Sequence, residues 1–238
     1  MLYITQPTYL PWVGYFSLLL KSKKVVFLDD VEFKEREWQQ RNKIYKKDSF
    51  HYLTVPIKKS GTHKQKINQA EVFDNMFFDK HLKTIQHTYS KTKYFTKVFQ
   101  ALKNLENTIK NTNKLSQINL LLINMILDLL GEKVEFINSS ELNFDSKRSY
   151  KLIDICKKLN FSNLLCNEGS KGYLDEDKHL FIENNIELFF YKYEAVKYNQ
   201  IGNEFISNLS IIDLLFNEGP KSNQIIRRRH RWRGQWPR

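Results

Sequence analysis

The sequence is poor in residues that staple or punctuate a chain. Its two cysteines, Cys156 and Cys166, make neither a disulfide framework nor a four-ligand zinc site on their own. Eight glycines and five prolines exclude collagen-like and low-complexity chains. No histidine has ligand spacing (His81 and His87 are six apart), so no histidine-based metal site is expected. The N-terminal MLYITQPTYLPW lacks a basic stretch followed by an apolar run and does not read as a signal peptide. The longest apolar stretch, near Leu120–Leu130, is broken by Asn124 and Asp128 and is too short to span a bilayer. A cytoplasmic protein with no membrane insertion is expected.

What is present points to a folded domain. Apolar residues make up 41% of the chain and charged residues 27%, which excludes wholesale disorder. A chain of 238 residues buries roughly 70–75% of its unfolded surface without needing a metal or disulfide. The formal charge of +12 is unevenly spread. Residues 1–226 hold three arginines against 29 lysines, whereas residues 227–238, RRRHRWRGQWPR, hold six arginines and two of the four tryptophans. Without that segment the net charge is +6. The segment reads as an appended tail outside the fold, the alternative being a basic arm for RNA or phospholipid. The remaining charge fits an anionic small molecule as well as RNA.

Hydrophobic runs bounded by turn residues predict strands at Leu2–Gln6, Lys24–Leu28, Lys133–Ile137, Asn163–Cys166 and Ile186–Tyr191, with Tyr52–Ile57 at an edge because of Pro56. Helices are expected at Phe16–Lys21, within Asp74–Gln100, at Lys114–Leu130 with Gly131 as stop, and at Lys147–Lys158, Tyr173–Asn184 and Ser210–Phe216. Strand–helix–strand alternation at both ends implies an α/β fold, with a mostly parallel Rossmann-like sheet. Residues 1–220 are expected to form a single α/β domain. Residues 72–131 are expected to be a helical insertion or lid.

Ligands of such sheets sit beyond the carboxyl ends of the strands. Four predicted strand ends are polar: Gln6 through Trp12, Asp29-Asp30, Asn138 through Ser140, and Asn167 through Ser170. In QPTYLPWVGY, Pro7 and Pro11 stiffen the loop, Tyr9 and Trp12 offer flat faces with a polar tip, and Gly14 permits a close approach. One of Asp29 and Asp30 could serve as a base or hold a divalent metal while the other caps the following segment, or both could merely cap the turn. In Trp38-Gln39-Gln40-Arg41-Asn42 the arginine, rare in this body, suggests a bidentate partner: a phosphate, a carboxylate or a fixed ion pair. The stretch from Asn167 to Tyr173 is a glycine-bearing loop before a helix, suited to an anion. The GxxxxGK[ST], GxGxxG and GxSxG motifs are all missing.

The runs Gln6-Pro7-Thr8-Tyr9-Leu10-Pro11-Trp12, Gly14-Tyr15-Phe16, Phe27-Leu28-Asp29-Asp30-Val31-Glu32-Phe33, Trp38 with Arg41-Asn42, and Leu53-Thr54-Val55-Pro56 resemble the WbqC-like protein family. So do Tyr173-Leu174-Asp175, Tyr198 with Gln200, and the stretch from Leu209 to Gly219. The resemblance spans roughly Met1 to Pro220. The family usually carries a histidine before the Gln-Pro pair, where this chain has Thr5, and a His-Pro before Tyr198, where it has Ala195-Val196.

The resemblance implies a role in bacterial O-antigen and related lipopolysaccharide biosynthesis. The reaction it suggests is transfer of glycine or another acyl group onto the amine of a nucleotide-linked amino sugar. On that expectation Asp29, Asp30 and Tyr9 are the catalytic candidates. Gln6, Trp12, Tyr15, Trp38, Arg41, Asn42, Ser139, Tyr173, Tyr198, Gln200 and Asn217 are the binding candidates. The cofactor is an acyl or aminoacyl donor, without a metal. An aminoacyl-tRNA donor is the one nucleic-acid partner considered, and a homodimer the one assembly. A nucleotidyltransferase- or ligase-like enzyme and a non-catalytic module of the glycan pathway are the alternatives. The catalytic reading requires Trp12, Asp30 and Arg41 to meet in one crevice.

Overall fold

A computed structural model describes residues 1–59 and 65–228; residues 229–238 of the arginine-rich segment lie outside the described residues. The chain begins β1 (Leu2–Thr5), α1 (Val13–Leu19), β2 (Lys24–Phe27), β3 (Arg41–Lys46) and β4 (Ser49–Thr54). The middle is helical: α2 (Phe77–Tyr89), α3 (Phe95–Asn104), α4 (Glu106–Lys110) and α5 (Leu115–Leu130). Then follow β5 (Phe136–Asn138), α6 (Arg148–Lys158), β6 (Asn163–Asn167), α7 (Lys171–Glu176), α8 (Lys178–Glu183) and β7 (Glu187–Tyr191). The described chain closes with α9 (Ile211–Glu218) and α10 (Ser222–Arg227).

Five strands pair in the order β5-β2-β1-β6-β7, every neighbour parallel. This is the Rossmann order without its sixth strand. The chain works outward from β1 to β5, returns beside β1 as β6, and works outward the other way. The strands are short apolar runs because both sheet faces are covered. Tyr3, Val25, Phe27 and Leu165 face a core built with α1, α5 and α9. Leu2, Val26, Leu164 and Leu188 face a second core with α6, α7 and α8.

The predicted edge strand at Tyr52–Ile57 is not part of this sheet. It forms as β4 and pairs antiparallel with β3 in a separate hairpin. The turn residues Lys47 and Asp48 both have positive φ (36° and 58°). That geometry suits a tight hairpin but lacks the usual Asn-Gly signature. The Tyr45 hydroxyl holds it, donating to Asp48 Oδ1 (2.8 Å) and accepting from the Asp48 N–H (2.9 Å).

Helix α5 follows its sequence pattern. Leu115, Ile118, Leu122 and Ile126 are fully buried at helical spacing. The helix ends at Gly131 in the left-handed conformation (φ 69°), whose N–H and that of Glu132 return to the carbonyls of Asp128 and Leu127. Residues of α2, α3 and α5 join the same core as α1 and the hairpin. The arginine-rich segment begins inside the fold, because Arg227 ends α10 and its Nη2 meets Glu132 at 2.6 Å. Among the described residues no helix is long and apolar enough to cross a membrane.

One buried amide couples the middle helices to the loops at the sheet's carboxyl end. Asn119 on α5 is fully buried, and its Nδ2 donates to the carbonyls of Pro7 (3.1 Å) and Gln39 (2.9 Å). Replacing Asn119 with leucine leaves both carbonyls buried and unpaired. Urea unfolding of this variant is expected to show a loss of about 2–3 kcal/mol. A change below about 0.5 kcal/mol, the scatter of ordinary surface substitutions, would show that the amide does not couple them.

Candidate functional site

A large cavity, about 910 Å³, opens at the carboxyl ends of β1, β6 and β7, where the strand order reverses. One wall is the loop leaving β1. Pro7 and Pro11 fix two of its φ angles, and Leu10 sits at φ +42°. Buried Asn42 on β3 holds that strained turn, its Nδ2 donating to the Leu10 carbonyl at 2.8 Å. The Tyr9 N–H donates to the Trp38 carbonyl (2.9 Å), tying the loop to the segment before β3. The Trp12 ring lies flat against Gly14, where any Cβ would collide with it, and packs edge-on to Tyr193 with centroids 5.3 Å apart. Gly14 is therefore required by close approach.

The polar lining is mostly neutral. Gln39 Nε2 donates to Gln6 Oε1 (2.7 Å), and the Tyr15 hydroxyl donates to the Gln6 carbonyl (2.9 Å). Burial pushes the Tyr3 phenol up to about 12 despite hydrogen bonds with Thr5 and Asn167, and raises Tyr15 well above its usual range. Both therefore remain protonated at neutral pH. The opposite wall is Asn167 through Ser170, Tyr173 on α7, and Tyr191 through Tyr193. Lys34, Lys43 and Lys192 bring positive charge, Glu37 and Glu168 negative, with Lys192 Nζ 3.5 Å from Glu168.

The other two polar strand ends form a separate pocket of about 460 Å³ beside the N-terminus of α5. Asp29 lines it together with Asn68, Ser116 and Ser140. The Asp29 carboxylate accepts from the Ser140 N–H (2.9 Å), Ser140 Oγ (2.7 Å) and Ser139 Oγ (3.3 Å). Asp30, one residue on, turns toward α6 while sharing Ser139 Oγ with Asp29. It pairs with Lys151 on α6 at 2.5 Å and accepts from Ser139 Oγ. Burial opposes ionisation of Asp30. The hydrogen bonds from Lys151 and Ser139, with the lysine charge, outweigh it and hold the carboxyl below its usual value.

Trp12, Asp30 and Arg41 therefore do not share a crevice. Of the three, only Trp12 lines the large cavity. Arg41 lies on the outer face of the hairpin, its guanidinium 4.3 Å from the centre of the Tyr52 ring. Tyr9 is fully buried with its hydroxyl 2.8 Å from His81 Nδ1. Burial lowers that histidine to about 4, so the pair is neutral at physiological pH. Tyr198, Gln200 and Asn217 gather elsewhere, around fully buried Asp213. Its carboxylate accepts from Tyr198 (2.7 Å), Gln200 (2.8 Å) and Tyr89 (2.8 Å), while Asn217 Nδ2 donates to its backbone carbonyl (2.7 Å). Burial raises Asp213, and these hydrogen bonds offset part of the effect.

Gln6, Trp12, Tyr15, Trp38, Asn42 and Tyr173 are brought together on the large cavity. Sequence reasoning missed its third strand end, Lys192-Tyr193 after β7, although that run also follows a predicted strand. Among the described residues no group of three or more His, Cys, Asp or Glu side chains could hold a metal ion.

Strand order and cavity define a Rossmann-like α/β protein with a crevice at its switch point. The chain belongs to the WbqC-like protein family, which it matches over residues 6–225. It is 27% identical over 225 residues to the uncharacterized protein Rv1507c of Mycobacterium tuberculosis, covering 94% of this chain and 96% of that one. No solved structure matches it.

The Asp30–Lys151 pair makes a signed prediction. A carboxyl whose folded value is depressed stabilises the fold above its unfolded value of about 3.9, and that stabilisation is lost as pH falls through the depressed value. Lys151→Met is expected to cost about 3 kcal/mol at pH 7 because it strands a buried charge. The gap from the native protein should narrow as pH falls, from the raised value of the stranded carboxyl in the variant down through the depressed value of the native one. A gap independent of pH in chemical unfolding would show that the pair carries no such charge coupling.

Proposed function

We propose that this protein is a transferase of bacterial surface polysaccharide biosynthesis. It moves an acyl or aminoacyl group onto the amine of a nucleotide-linked amino sugar held in the switch-point crevice. The supporting observation is the crevice itself, with aromatic rings at its rim, neutral amides and phenols on its walls, and three lysines beside them. Rings accept sugar and base faces, amides and phenols read hydroxyls, and lysines meet a diphosphate. Membership of the WbqC-like family supports the pathway.

In the reaction the sugar amine attacks the carbonyl carbon of an activated acyl ester or thioester. A C–N bond forms, the carbon–heteroatom bond of the donor breaks with its electron pair leaving on oxygen or sulfur, and the amine loses a proton. Glu168, at the carboxyl end of β6, lines the crevice and is the carboxylate best suited to take that proton, whereas Asp30 does not line it. The Tyr3 phenol, kept protonated by burial, suits the developing oxyanion. Asp29 and Asp30 belong on this reading to the framework.

Nucleotide-linked amino sugars are expected to raise the melting temperature, at saturation by several degrees. Incubation with an acyl donor should add the acyl mass to the sugar. Trp12→Ala is expected to weaken sugar binding at least about tenfold, as loss of one buried aromatic contact does. Glu168→Gln should bind normally but lower turnover by about a hundredfold or more, the scale of general-base catalysis. No stabilisation by any nucleotide-linked sugar would sink the reading.

A further inference from the structure

The outer face of the β3–β4 hairpin carries aromatic rings with cations lying over them. Phe50 and Tyr52 meet edge to face with centroids 5.4 Å apart. Arg41 lies over Tyr52 at 4.3 Å. Lys43 Nζ lies 4.2 Å from the centre of Phe50, 5.7 Å from Tyr52 and 5.8 Å from Trp38. The register accounts for the row: Lys43 is paired with Tyr52, while Asn42, Ile44 and Leu53 turn inward and are buried. In the same row Tyr45, opposite Phe50, is buried and holds the turn, and Tyr52 is half-buried. Trp38 and Phe50 are left in water, 46% and 41% exposed.

The row runs into the crevice, because Trp38 and Lys43 also line it. Its charge is positive: Arg41 and Lys43 lie within it, and Lys46 and Lys47 follow at the hairpin tip. The acidic groups nearby are Glu35 and Glu37 in the segment before β3, and Asp48 in the turn, where Tyr45 engages it.

We infer that this face binds a single-stranded polynucleotide whose terminal nucleotide enters the crevice. Bases stack on Trp38, Phe50 and Tyr52, and phosphates meet Arg41 and Lys43. Rings and cations together suit such a chain because every base has a flat face and every linkage a charge. An acidic peptide would use the cations and leave the rings idle. The inference rests on the crevice being the acyl-transfer site and specifies the donor class: an acyl ester carried at a polynucleotide end.

The test is fluorescence anisotropy of the full chain with a 5′-labelled oligoribonucleotide of about ten nucleotides, a length that spans a typical single-strand site. Phe50→Ser with Tyr52→Ala is expected to weaken binding about tenfold or more with little change in salt dependence. Arg41→Gln with Lys43→Gln should flatten the slope of log affinity against log salt by about 1.4, the value for two lost phosphate contacts. Circular dichroism reports the fold of each variant, and the second pair stands as an independent test if the first unfolds. The basic segment is controlled by replacing its five arginines beyond Arg227 with serine in an otherwise full chain.

Binding that disappears with those five arginines and ignores both hairpin variants would overturn the inference. So would a mononucleotide that competes as well as the oligomer. The Phe50/Tyr52 variant should retain its stabilisation by nucleotide-linked sugars. Failure of the platform is thus distinguishable from failure of the crevice reading, in which no such sugar stabilises any form of the protein.

Discussion

The structure turns on β1 being paired on both sides by parallel strands reached in opposite directions. A parallel neighbour demands a crossover, and crossovers of one hand place successive strands outward on one side only. When the chain comes back to β6 it must start outward again on the other side. The connections leaving β1 and β6 therefore diverge, and backbone cannot fill the space between them. The crevice follows from topology before any side chain is considered. The sequence decides only what lines it.

What lines it is held by amides more than by charges. Asn119 and Asn42 hold the carbonyls of Pro7, Gln39 and Leu10, and the Gln39 amide meets that of Gln6. Neutral hydrogen bonds of this kind do not titrate, and salt screens them little. A wall built from them keeps its shape over a wide pH range, which an ion-paired wall such as Asp30–Lys151 cannot do below the carboxylate's titration. The stiff prolines reduce what remains to be ordered when a ligand arrives.

Much of the architecture was legible because its signals are local. The run KVVFL reads as a strand buried on both faces, and β2 forms over Lys24–Phe27; the spacing from Leu115 to Leu130 with Gly131 after it reads as a capped helix, and α5 forms there. The hairpin was half seen, because its turn uses Lys47-Asp48 at positive φ and the support comes from the Tyr45 hydroxyl. No dipeptide rule contains that information. Of the site, residues following β1 and β6 were legible as polar strand ends. The role of Asn119 was not, since a lone asparagine on an apolar helix face looks like a defect until its two carbonyl partners are known.

The expectation that the segments after β1 and β2 meet in one crevice, Trp12 with Asp30 and Arg41, failed for a geometric reason. In a sheet ordered β5-β2-β1-β6-β7 the ends of β2 and β5 lie to one side of the switch point. Their polar residues meet each other more readily than they meet those after β6. Asp29 and Ser140 accordingly close on one another, and Asp30 turns to the helix on the opposite face. Polar residues after a strand mark the functional edge of a sheet, but strand order decides which of them share a pocket. Arg41 shows the same limit on a strand, where a two-residue period turns Asn42 inward to hold the loop and Arg41 outward onto a tyrosine ring. A single step along the chain separates a residue that shapes the crevice from one that faces solvent.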